Sequence, residues 1–120
     1  MELITLEQAK NYLRVDSSDD DALIKTLLAS AQRMSIDVAR LSEEQWTALT
    51  VGVETDDDGN IISVTSDVYS VAETIQIHEL MKIAVLYALG YLYEHREEGD
   101  HHALVITLRS ILFSVREGVV

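Results

Sequence analysis

The sequence runs to 120 residues with 21 acidic and 9 basic side chains, a formal net charge of −12, 48% hydrophobic residues, and neither cysteine nor proline. That size fits a single domain spanning 1–120, with folding burying roughly two-thirds of the extended surface. The missing cysteines exclude disulfides and thiolate metal sites. The negative charge disfavours ordinary binding to nucleic acid or an anionic membrane, and favours neutral or basic partners.

The opening "MELITLEQAK" turns polar too early for a secretion signal. The longest strongly apolar stretch, "IAVLYALGYLY" at 83–93, is too short to span a bilayer. A soluble chain, intracellular at synthesis, is expected. Without proline, helix boundaries must come from caps, glycine and charge.

"TLEQ" at 5–8 has the capping-box spacing, so a first helix is predicted over about 6–14, with Leu6, Ala9, Tyr12 and Leu13 on one face. "RVDSSDDD" at 14–21 breaks it. Ser18, followed three residues later by Asp21, then starts a second helix over about 19–40. Leu23, Ile24, Leu27, Leu28, Ala31, Met34, Val38 and Leu41 recur on that helix at the 3.6-residue period. Ser42 and Gln45 repeat the capping-box spacing before Trp46 and announce a short helical turn.

From 47 to 72 the texture changes. Val51 and Val53 alternate, "DDDGN" at 56–60 is turn-forming, and Ile61, Ile62, Val64 and Thr65 favour strand. A β-hairpin arm is predicted, with Gly59 and Asn60 at positive φ. A lone hairpin is marginal in water, so the arm must pack on the helices or on another chain.

Helical periodicity returns over 74–98. Ile77, Leu80, Met81, Ala84, Ala88, Tyr91 and Leu92 form one stripe, yet Ile83, Val85, Leu86, Tyr87 and Leu89 make the other faces apolar as well. A helix apolar nearly all round needs burial on several sides, which a chain this short does not readily supply, so a subunit interface is expected. Gly99 should end this helix. A last one is predicted over 102–116, with Leu104, Leu108, Ile111, Leu112 and Val115 inward. The predicted fold class is mainly α: a bundle of about four helices, with a helical body at 1–46 and 74–118 and the hairpin arm between.

Candidate chemistry is sparse. "HELMK" at 78–82 approaches the H-E-x-x-H zinc pattern but places the cation Lys82 at the second ligand position, so a helix face with Glu79 and Lys82 in i,i+3 contact is the better reading. "DDDGN" lacks the ligand spacing of a calcium loop. "LYEHREEGDHH" at 92–102 packs three histidines and four carboxylates into eleven positions. His95, His101 and His102, with Glu98 or Asp100, offer metal ligands but straddle a glycine turn that fixes no geometry.

No nucleophile elbow, phosphate loop or dinucleotide fingerprint occurs, so no catalytic residue, metal or cofactor is assigned. Asp19, Asp20 and Asp21 read either as a helix N-terminus or as a contact for a basic partner. Tyr87 and Tyr91 are expected mainly in the core, and Tyr93 at an interface. Arg96 either complements the helix dipole or bridges to a carboxylate on a neighbouring subunit.

Several segments together resemble the phage head–tail connector (adaptor) family. "ITLEQAKNYLRVDSSDDDALIKTLLASAQRM" is similar to its short first helix, acidic break and long amphipathic helix. "AVLYALGYLYEHREE" is similar to its "L-Y-x-N-R-E" helix end, and "LRSILFSVRE" to its "L-L-x-x-x-R" finish. The resemblance covers both flanks, roughly 1–41 and 78–117. It departs at His95, where the family commonly has asparagine, and in the 47–72 segment, which replaces a proline-bearing one.

The resemblance implies a non-enzymatic virion protein of tailed phages or prophages, made in the host cytoplasm and placed at the head–tail junction. It implies a homo-oligomeric ring, often of twelve copies, docked under the portal protein and presenting a surface to a tail or head-completion protein while DNA passes through without specific binding. Tyr93, Arg96 and Glu97 at the "LYEHREE" end, the closing Arg116, and the acids Asp19, Asp20 and Asp21 are then the candidate subunit or partner contacts. An alternative from a different class is an acidic antitoxin-like or DNA-mimic protein that masks a basic partner. A metal-dependent enzyme using the three histidines is a third.

Overall fold

A computed structural model describes residues 3–97 and 100–118. Its elements run α1 (Leu6–Leu13), α2 (Asp21–Ala39), α3 (Glu43–Thr50), β1 (Val53–Thr55), β2 (Ile61–Val64), α4 (Val71–Glu94), α5 (His102–Ile111) and α6 (Phe113–Glu117). The mainly helical architecture with an inserted antiparallel hairpin is as expected. The helix count is not, because six helices stand among the described residues where about four were predicted.

Two differences account for the count. The Ser42–Gln45 capping box, closed in both directions, nucleates two full turns of α3 rather than a passing one, which places helix at 47–50 where the hairpin arm was expected to begin. The final helix breaks at Leu112. That residue leaves helical geometry (φ −100, ψ 12) with its side chain fully buried, so α5 and α6 meet at a bend anchored in the core.

Other boundaries shift for local reasons. α4 begins at Val71 rather than near 74, because Ser70 and Glu73 form a third capping box. The Ser70 hydroxyl accepts from the Glu73 N–H at 3.1 Å, and the Ser70 N–H donates to Glu73 Oε1 at 3.0 Å. Those bonds, that from the backbone N–H of Ser70 first, hold the Glu73 carboxyl below its usual range. α4 ends at Glu94, earlier than 98; Glu98 and Gly99 lie outside the described residues.

Ser18 does not cap α2. Asp20 occupies the N-cap without a side-chain cap bond, and the Asp21 N–H donates to the Ser18 carbonyl instead. α1 and α2 both close on arginine, Arg14 (φ 60) and Arg40 (φ 57), in the left-handed region that glycine usually fills. At each end the next residue reaches back to complete the motif, Val15 N–H to the Lys10 carbonyl at 3.0 Å and Leu41 N–H to the Ile36 carbonyl at 3.2 Å.

α4 is the central element. Ile77, Met81, Ala84, Val85, Ala88, Leu89 and Leu92 on it are buried together with Ile24, Leu28, Ala31, Ile36 and Ala39 of α2, and with Leu104, Leu108 and Leu112 from the C-terminal region. α2 and α4 form the most extensively packed pair. Small residues (Ala31, Ser35 and Ala39 on α2, Ala84 and Ala88 on α4) keep bulk low on the buried faces of both helices. The buried Ser35 hydroxyl donates to the Ala31 carbonyl at 2.8 Å and so leaves no orphan donor.

In the hairpin, Val53 pairs with Val64, Glu54 with Ser63 and Thr55 with Ile61, with a bulge between Glu54 and Thr55. Gly59 takes the positive φ (85), whereas Asn60 does not; its N–H donates to Asp56 Oδ1 at 2.9 Å, as does that of Asp58 at 3.0 Å. The bonds from Asn60 and Asp58 hold the Asp56 carboxyl below its usual range, the Asn60 backbone N–H contributing most. One aspartate organises the whole turn, which is why "DDDGN" serves as a hairpin end.

The arm is fastened at both ends. Thr65 N–H donates to the Gly52 carbonyl at 2.8 Å, and Lys82 Nζ on α4 donates to the Gly59 carbonyl at 3.3 Å. Gly52 sits where α3 hands over to β1. A Cβ there would lie 2.6 Å from the Ala48 carbonyl oxygen and 2.7 Å from Ser66 Cβ, so only glycine fits the approach.

Candidate functional site

Helix propensity and capping set α4 running for 24 residues, and its nearly all-round apolarity leaves part of its surface unburied. Val71 (60% exposed), Ile75 (44%), Ile83 (53%) and Tyr87 (40%) lie at multiples of four residues, a row that winds about 160° around the helix from first to last and keeps Ile75, Ile83 and Tyr87 within about 120°. The intervening position of this row is Glu79, whose side chain is also exposed and 4.0 Å from Lys82. Tyr87 is expected mainly in the core; it stands exposed instead, at the rim of a groove it lines with Tyr12 of α1, Gly90 and Tyr91. Tyr12, predicted on the inward face of α1, is also exposed (49%) and reaches α4 at Gly90, where a Cβ would come within 3.2 Å of its ring.

The C-terminal end of α4 gathers three of the predicted residues. The Tyr93 hydroxyl donates to Asp20 Oδ2 at 3.0 Å, tying α4 to the start of α2 across 73 residues of sequence, and Arg96 lies 5.0 Å from the Tyr93 ring centre. The bond to Asp20 pushes the Tyr93 phenol above its ordinary range. Asp21 forms an ion pair with Lys10 at 2.8 Å, while Asp19 is exposed. Glu97 is exposed beside Arg96. Arg116 lies apart from this group, its Nε donating to the Val38 carbonyl at 3.2 Å and fastening α6 to the end of α2.

The histidines do not converge. His95 shares a hydrogen bond between Nδ1 and the Tyr91 carbonyl at 2.9 Å and stacks on the Tyr91 ring at 4.1 Å, while His101 meets that ring edge-on at 6.2 Å. No group of three or more potential metal ligands comes together among the described residues. No helix among them is long and apolar enough to cross a membrane.

Sequence reading missed His78. It was weighed only as part of a zinc pattern, yet it is 3% exposed and its Nδ1 has no hydrogen-bond partner among the described residues. Burial, seconded by the nearby Lys82 charge, holds its pKa below the ordinary imidazole value, so the ring is neutral at neutral pH. Its place on the inward face of α4, at 3.6-residue spacing from Thr74 and Met81, was the only available signal.

The fold is a small helical body with a tethered hairpin, and its central helix leaves several apolar side chains exposed. The family model described as phage gp6-like head-tail connector protein matches residues 3–118, and the chain belongs to that family. No curated protein and no solved structure matches it.

The protein is therefore a structural, non-enzymatic component of tailed-phage virions, placed at the head–tail junction and working with portal and tail-side proteins during assembly. The family match extends through the 47–72 segment that the flanking resemblance left unaligned, and nothing in it supports an antitoxin-like or DNA-mimic role.

Proposed function

We propose that copies of this chain close into a ring beneath the portal protein, joined side to side through the exposed face of α4 together with α2, and leave a central passage for DNA. The observation that carries this reading is the exposure of Ile75, Ile83 and Tyr87, apolar side chains within about 120° of arc, with Glu79 between them, on the helix that is otherwise the core of the domain. Burying these side chains against a neighbour supplies the covering that the domain itself lacks. Twelve copies is the number the family resemblance implies.

Arg96 and Glu97, both exposed at the end of the same helix, extend this seam as charged contacts, with Tyr93 holding Arg96 in place through its ring. Asp19, Asp20 and Asp21 at the start of α2 and Arg116 on α6 supply the remaining contacts to neighbouring subunits or to the portal and the tail-side protein. The net charge of −12 favours a passage that does not hold DNA by its phosphates.

The test is to add the chain to portal-bearing capsids that lack a connector and to measure the mass bound per vertex. A fixed whole number of copies at the vertex is expected, visible as a closed ring by electron microscopy. Binding as scattered single copies, without lateral contact, would overturn the ring.

A further inference from the structure

A cavity of about 360 Å³ opens between the hairpin turn, the start of α1, α3 and α4, within the range of pockets that take ligands, about 300–1,000 Å³. Leu3, Leu49 and Val53 give it apolar walls, and Glu7, Asp56 and Asp57 bring carboxylates to it. The carboxylates of Glu7 and Asp57 make neither a hydrogen bond nor an ion pair with any described residue. His78 also lines the cavity, almost wholly buried, its Nδ1 lacking a partner and its ring kept neutral by burial.

Apolar walls leading to unpaired carboxylates match one kind of side chain, a hydrocarbon stem that ends in a cation. The turn already shows this preference, since the protein's own Lys82 donates to the Gly59 carbonyl at its edge. The Lys82 ammonium is taken up by that carbonyl and by Glu79, 4.0 Å away, and Lys82 does not itself line the cavity. The turn sits close on α1, because a Cβ on Gly59 would stand 2.5 Å from the Gln8 amide nitrogen, and Gln8 is itself fixed by the α1 capping box.

We propose that this cavity is a docking socket for an arginine or lysine side chain presented by a partner protein at the head–tail junction. The stem packs against Leu3 and Val53, over the fully buried Leu49, while the charged head pairs with Glu7 and Asp57. The socket shares no residue with the α4 row, so it can be tested on the free chain whether or not rings form.

The experiment is a ¹H–¹⁵N NMR titration of the chain with acetyl-Gly-Arg-Gly-amide, using acetyl-Gly-Gln-Gly-amide as the neutral control. Saturable shifts confined to residues near Glu7, Leu49, Asp57 and His78 are expected with the arginine peptide alone. The exposed changes Glu7→Gln and Asp57→Asn should each weaken binding roughly two- to fivefold without altering the fold.

Shifts spread evenly over the acidic surface, including the 16–21 run, and indifferent to both substitutions would show general charge attraction and overturn the socket. An absence of shifts up to the solubility limit of the peptide would overturn it equally. Neither result would bear on the ring, which is read at the capsid vertex.

Discussion

Replacing Ile83 with glutamate is the sharpest probe of the seam. Ile83 is 53% exposed in the single chain, so the substitution removes little from the core, and glutamate suits a helix slightly better than isoleucine. Fully burying an isoleucine side chain stabilises by about 1.5–3 kcal/mol, so covering its exposed half contributes roughly 1 kcal/mol per seam. Ile75 and Tyr87 are exposed to a similar degree and lie within about 120° of arc with it, which puts the three at roughly 2–4 kcal/mol per seam.

Ile83→Glu loses its share of that and strands a carboxylate in an apolar contact, at a cost of about 3–5 kcal/mol when no cation meets it. The total, about 4–6 kcal/mol, corresponds to a thousandfold or greater loss in lateral association. The assay is the number of copies retained per portal vertex, alongside the circular-dichroism melting curve of the free chain. An unchanged melting curve with a collapsed copy number is expected. Full occupancy and closed rings with glutamate at 83 would refute the assignment of this face to the seam.

Three further outcomes follow from the interior. Gly52→Ala should lower stability by about 1–3 kcal/mol, because its Cβ meets backbone at 2.6 Å and the α3–β1 junction must shift; denaturant melts and loss of the Thr65 amide's exchange protection would report it. Ser70→Ala should cost about 1 kcal/mol by opening the capping box of α4, seen as a lower denaturation midpoint with an unchanged slope.

His78 has a folded-state pKa below its unfolded value of about 6.5, so the unfolded chain takes up the proton first. Its contribution to stability is complete above about pH 6.5 and is lost as pH falls toward the folded pKa, with a slope of at most about 1.4 kcal/mol per pH unit. His78→Gln should flatten the stability profile between about pH 7.5 and 5.5. An identical profile in the variant would show that other groups set the acid limb.

What the sequence determined by itself is local or periodic. The capping boxes at Thr5–Gln8 and Ser42–Gln45 stand where their spacing put them, and the α2 stripe faces inward through Ile24, Leu28 and Ala31, because both depend only on neighbours within a turn or two. The surplus apolarity of α4 was also legible, and Ile75, Ile83 and Tyr87 are its exposed part. The Ser70–Glu73 box was equally present in the sequence but was masked by the strand-like texture around it.

What only the tertiary structure decided is which side of each element is covered. Tyr12 obeys the helical period and still lies outside, since periodicity ranks the faces of a helix without saying how many neighbours it has. Arg14 and Arg40 hold left-handed caps that glycine normally signals, because the bonds from Val15 and Leu41 that complete each cap outweigh the preference of the residue. The approach of Tyr93 to Asp20, and of the hairpin turn to Glu7 and His78, joins residues far apart in the chain, and such contacts are set by how the helices cross rather than by any spacing along the sequence.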